Sequence, residues 1–190
     1  MLAEPELTVL ARRGLLDAHS DGHTTTLVRA DAPVGTEGAA EAFANAFARF
    51  GEEAMQAYTR PAAVVHWDQS RKRGFAAVDR LGAQGVFFAS TDDGLFFAGE
   101  IVDILNVIRR RPAPSLAALG SWLTGDGIPR GTTLYEGISR LRGGELHPLE
   151  QHSATRAYVT ERLPDLVRGG PEELAERTRV QTVVAVLPLF

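Results

Sequence analysis

The chain has 190 residues, 44% of them hydrophobic, enough for one domain with a sizeable core. Its formal charge of -4 excludes a broadly cationic surface, so nucleic acid and anionic membranes are not expected partners. It has no cysteine, which excludes disulfides, thiolate metal sites and a cysteine nucleophile; with no membrane-length apolar run and no cationic leader, the expected location is the cytoplasm.

Residues 6–11 and 24–29 are short strand-like runs separated by Gly14, Asp17, Ser20, Asp21 and Gly22, which predicts an N-terminal hairpin. Residues 37–50 place Ala40, Phe43, Phe47 and Phe50 at intervals of three and four, a helix with an aromatic stripe that packs on a sheet. Thr36 is the expected cap of that helix and Gly51 its stop. Four apolar runs follow between residues 64 and 98, separated by Asp68–Gly74, by Asp79-Arg80-Leu81-Gly82 and by an Asp-Gly turn at 93–94, and they read as two consecutive hairpins in one meander. A helix is expected over 101–110, ended by Pro112. A second one follows, capped by Ser115 and carrying Leu116, Leu119, Trp122 and Leu123. Residues 125–144 are glycine-rich and aperiodic, a surface excursion, and 145–149 read as a last strand. Residues 168–171 look like a linker and 172–185 like a helix, so residues 1–166 are taken as the domain and 167–190 as linker and helix.

The order of Trp67-Asp68, a basic turn, an apolar strand, Asp79-Arg80-Leu81-Gly82, an aromatic strand, and Leu95-Phe96-Phe97-Ala98 ending in Gly99-Glu100 resembles the glutaminase-type domain of asparagine synthetases. That family writes the segments as ALWD, ARDRLGxxPLYY and LxFASEIKAL. Ser121-Trp122-Leu123-Thr124-Gly125, the stretch 128–141 and Gly143-Gly144 are similar to its YLxxGxxPxxxTLFxGIxxLxPGH. The resemblance covers roughly residues 47–149, and its motif positions here are Trp67, Asp68, Asp79, Arg80, Gly82 and Glu100. It implies an α+β fold, a four-layer αββα sandwich of two antiparallel sheets like that of the N-terminal nucleophile hydrolases.

The resemblance also implies what should be present and is not. A glutaminase of this type uses an N-terminal cysteine whose thiolate attacks the amide carbon, with the free amine as base. This chain begins Met1-Leu2, lacks the HRGPD and NGEIYN segments that hold glutamine, and has Ala39 where the resemblance implies an acid, with Glu41 matching a neighbouring glutamate. In the ARD triplet the arginine is replaced, giving Ala77-Val78-Asp79. Asp79 is read as an acceptor for backbone donors in its turn, and Arg80 as a partner for a buried carboxylate. No catalytic, cofactor or metal residue is therefore assigned.

Other candidates carry less. His19 and His23 have a helical zinc spacing, but Asp17, Asp21 and Gly22 favour a turn. Gly125-Asp126-Gly127 lacks the strand-then-helix setting of a phosphate loop, and Arg71-Lys72-Arg73 reads as a solvated turn. Gly35-Thr36, Gly120-Ser121 and Gly131-Thr132 are weak autoprocessing candidates. The leading expectation is a pseudo-glutaminase domain that supports a carboxylate-adenylating synthetase domain or subunit, like those of β-lactam synthetases and lasso-peptide cyclases, with ATP and magnesium bound in that partner. The rivals are a stand-alone interaction protein, forming a homodimer through edge strands or its apolar tail, and a glutaminase with a nonstandard nucleophile.

Overall fold

A computed structural model describes residues 6–10, 16–30, 38–57, 61–92, 94–150 and 153–159, together with 170, 172, 173 and 175. The chain divides into two compact units, Met1–Thr160 and Glu161–Phe190. In the second, Glu172, Glu173 and Ala175 are helical, and the rest of the helix expected over 172–185 lies outside the described residues.

The first unit is α+β. Strands β1 (Glu6–Leu10), β2 (Asp17–Ser20) and β3 (Thr24–Ala30) lead to helices α1 (Ala39–Phe50) and α2 (Glu53–Ala57). Four strands follow, β4 (Ala62–Asp68), β5 (Arg73–Val78), β6 (Phe87–Thr91) and β7 (Gly94–Ala98), then α3 (Ile101–Val107) and α4 (Leu116–Leu123). Strands β8 (Ile138–Arg140), β9 (Glu145–Pro148) and β10 (Arg156–Ala157) complete the unit. One sheet has the order β10-β9-β5-β4-β3-β2 and is antiparallel throughout. The other, β1-β7-β6-β8, is antiparallel except that β1 runs parallel to β7.

Two pairings differ from the sequence reading. Residues 6–10 and 24–30 do not form a hairpin: β1 joins the four-stranded sheet and the partner of β3 is β2, Asp-Ala-His-Ser. That strand is polar because it lies at an exposed sheet edge, so it carries no apolar alternation to read. The stretch 64–98 is not one meander either. β4 and β5 pair in the six-stranded sheet, β6 and β7 in the other, and residues 79–86 cross between them.

The apolar face of each element ends in one of three clusters. Phe43, Ala39 and Ala40 of α1 with Met55 of α2 pack on Val28, Val64, Phe75, Ala77 and Leu146 of the six-stranded sheet. The alternate residues of those strands, Ala63, Ala76 and Val78, join Leu95 and Phe97 of the four-stranded sheet. The opposite face of that sheet, Ala89, Phe96, Ala98 and Ile138, packs on Ile104 of α3 and on Ile108. The period of two in the strands thus feeds two cores at once.

The helix ends also depart from expectation in places. α1 starts at Ala39, and Thr36 lies outside the described residues; Gly38 takes the cap position without a side-chain bond. Gly51 ends the helix, at φ 58°. Phe43 is buried and Phe47 packs against the cluster, while Phe50 is 59% exposed, so the aromatic stripe is one residue shorter than its spacing implied. α3 stops at Val107 because Ile108 turns extended and drops into the apolar cluster. Ser115 caps α4, its hydroxyl accepting from the Ala118 N–H. The stretch 125–144 is not wholly a surface excursion, since β8 pairs with β6 and buries Ile138. No helix among the described residues is long and apolar enough to cross a membrane.

Candidate functional site

The crossing from β5 to β6 is organised by one side chain. Asp79 is buried, and its carboxylate accepts four backbone N–H groups: Leu81 and Ala83 on Oδ1 at 2.9 and 3.3 Å, Ala62 and Gln84 on Oδ2 at 3.3 and 3.2 Å. Its main chain is used as fully, the N–H donating to Ala62 O while the carbonyl accepts from Gly82 and Gly144. Gly82 sits at φ 67°, a conformation that glycine adopts without Cβ strain. A Cβ on Gly143 would lie 2.5 Å from Arg80 O and 2.7 Å from Leu81 C, so these two turns touch backbone to backbone. The Tyr158 hydroxyl closes the assembly by donating to Val78 O at 2.7 Å, and burial pushes its phenol up to about 12.

Arg80 does not do what its place in the motif suggested. Its side chain is exposed, and Glu145, the buried carboxylate beside the turn that packs on it, is held by Arg142 through the Arg142 N–H at 2.8 Å and Nε at 2.6 Å. That hydrogen bond, and then the charge of Glu145, raise the Arg142 guanidinium above its ordinary range.

Glu100 and Arg29 form a second tie between the sheets. Arg29 follows Val28 on β3 in the row Arg29, Ala63, Val78, reaches Gly99 O just past β7 at 3.3 Å and lies 3.7 Å from Glu100 Oε1. The register therefore puts this tie and the Asp79 turn at one end of the six-stranded sheet. Trp67 and Asp68 lie at the other end of β4. Asp68 accepts from the Ser70 hydroxyl at 2.5 Å and from the Ser70 and Arg71 N–H groups, and pairs with Arg71 at 3.6 Å. The Ser70 hydroxyl and then the Arg71 N–H hold the Asp68 carboxyl below the usual range. Trp67 Nε1 donates to Gln69 Oε1 at 3.0 Å. The motif residues are thus split between two ends of the molecule.

At the start of α1, Ala39 is buried, and the neighbouring Ala40 N–H donates to Asp17 Oδ2 at 2.9 Å. Asp17, read from sequence only as a turn former, therefore supplies the cap from another strand, while Glu41 is exposed in the first turn. Sequence reasoning also missed two threonine–histidine pairs: the buried Thr26 Oγ1 with His66 Nδ1 at 2.8 Å, and the half-buried Thr155 Oγ1 with the buried His147 Nδ1 at 2.9 Å. Phe47 and Phe75 flank His66, and Phe88 and Phe97 flank His147. Burial lowers both histidines below their ordinary value, an effect that Asp68 and Asp21 oppose at His66. The members of the first pair are forty residues apart, so no local spacing announces it.

The remaining candidates are turns. Asp21 accepts from the His23 and Thr24 N–H groups, which hold its carboxyl down at about 2, and His19 lies on β2 before that turn. No cluster of metal-ligating side chains occurs among the described residues. The Gly125 and Asp126 N–H groups return to carbonyls of α4, so they finish the helix and do not cradle an anion. Gly120-Ser121 lies inside α4, Gly131-Thr132 is a turn closed by Thr132 on Pro129 O, and Gly35-Thr36 lies outside the described residues.

Chemically, the donors gathered at these points are already engaged. Transition-state stabilisation of an amide needs N–H groups aimed at the place where negative charge develops. Here the Asp79 and Asp17 carboxylates occupy such donors themselves. A family model described as a glutamine amidotransferase domain matches residues 22–159, well over half of the chain. No curated protein matches it.

Proposed function

Since the chain belongs to the glutamine amidotransferase domain family, we propose that it is a member that keeps the scaffold without the glutamine chemistry. On this reading it is the pseudo-glutaminase half of an asparagine synthetase-like system and buttresses a domain or subunit that adenylates a carboxylate. ATP and magnesium belong to that partner, and an amine already in the substrate replaces ammonia, as in β-lactam synthetases and lasso-peptide cyclases. The observation that carries the reading is the absence of cysteine from all 190 residues, because the family's attack on an amide needs a thiolate. The buried Ala39, where the resemblance implies a glutamine-holding acid, supports it further.

The three apolar clusters support a four-layer αββα arrangement for the scaffold. Residues 1–166 are proposed as the domain, 167–190 as a linker and helix toward the synthetase partner, and the cytoplasm as the location. The test is incubation of the purified chain with L-glutamine and mass-spectrometric detection of glutamate. No glutamate above a protein-free control is expected; sustained turnover on the order of one per second overturns the reading.

One observation favours a second reading, a self-associating interaction protein. Leu116, Trp122 and Leu123 on α4 are 78%, 55% and 75% exposed, a grouping that soluble monomers seldom leave bare. Sedimentation equilibrium separates the two, since only the second requires a homodimer of the isolated chain.

A further inference from the structure

β10 is the outermost strand of the six-stranded sheet and has two residues, Arg156 and Ala157, paired with Leu146 and Glu145 of β9. Its register sets Thr155 beside His147, and the two side chains bond at 2.9 Å. The strand's flanks are held at four points: Tyr158 N–H donates to Gly144 O at 2.9 Å and its hydroxyl to Val78 O at 2.7 Å, Gln56 Nε2 donates to Tyr158 O at 3.3 Å, and Arg156 pairs with the exposed Glu52 at 2.5 Å.

Among the described residues, His147 meets no uncompensated charge if it takes up a proton. β5 presents Ala76 to it, β6 presents Phe88 with ring centroids 4.4 Å away, β7 presents Phe97 at 5.7 Å, and β10 presents Thr155, none of them charged. On its own strand the nearest residue of like orientation is Glu145, which Arg142 already neutralises. His66, by contrast, feels the carboxylates of Asp68 and Asp21. An imidazolium among apolar groups is costly unless water reaches it. The interior strands around it are fixed by ladders and by the sheet-to-sheet core, whereas β10 has a two-residue ladder and solvent on its outer side.

We propose that residues 155–159 form an acid-released strap, in which proton uptake at His147 lifts β10 off β9 while both sheets remain assembled. The sign follows from burial, which places the closed-state His147 below its ordinary value of 6.5. The closed strap is fully stable above that value and loses stability as pH falls below it.

The experiment is hydrogen exchange on the intact chain at about pH 7.5 and about pH 5, expressed as protection factors. The Tyr158 amide should lose about tenfold or more in protection at the lower pH, with the Val64 and Ala77 amides of the β4–β5 ladder unchanged. In His147→Phe, which fills the space without titrating, Tyr158 should stay protected at both values. If that variant does not fold, the imidazole signal of His147 in the unmodified chain must titrate with the same midpoint as the Tyr158 loss. An unchanged acid response in His147→Phe, no response in the original chain, differing midpoints, or parallel loss at Val64 and Ala77 overturns the proposal.

Discussion

Asp79 and Asp68 do the same chemistry at opposite ends of the β4–β5 hairpin, and they are not equivalent. Each carboxylate gathers backbone N–H groups in a turn. Asp68 binds residues two and three positions ahead, at a partly exposed hairpin end where water is an alternative partner. Asp79 is buried, and its donors include Ala62, seventeen residues before it on β4, so it fixes the point where the chain leaves one sheet for the other. Hydrogen-bond count alone does not separate them. Burial does, because a donor left bare in the core has no water to replace its lost acceptor.

Asp79→Ala is the most severe way to break the comparison. It should cost about 3 kcal/mol or more of unfolding free energy in urea, by stranding several buried donors at once. Asp79→Asn, which retains one acceptor oxygen, should lose less. Next comes the contact beneath that turn: Gly143→Ala puts a methyl against Arg80 O and Leu81 C, both backbone atoms unable to rotate away, and should cost about 2 kcal/mol by the same measurement. Asp68→Ala should have the smallest effect, a thermal midpoint close to that of the original chain. If the Asp68 and Asp79 variants unfold together, burial is not what distinguishes the sites.

Much of this arrangement was legible in the sequence, and the reasons for the exceptions are physical. Strands β4, β5, β6 and β7 were visible because β-branched and aromatic residues sit between strong turn formers, and the Ser115 cap was visible because its bond is local. That β5 and β6 lie in different sheets was not, since a turn within a sheet and a crossing between sheets use the same residues. The two-residue β10 and polar β2 carry no pattern. At the candidate site, Asp79 as a turn acceptor was readable, whereas the expected Arg80 partnership gave way to Arg142 and Glu145, a pair three residues apart on the adjoining turn. The Thr26–His66 and Thr155–His147 pairs depend on strand register, which no single segment encodes.

Whether the scaffold is retained without a glutamine site is read out by an amide-resolved NMR titration of the chain with L-glutamine. No saturable shift is expected anywhere in the first unit, including Ala39 and Ala40 at the start of α1. A saturable set of shifts centred on those residues would show that the family's substrate is still bound and would contradict that expectation.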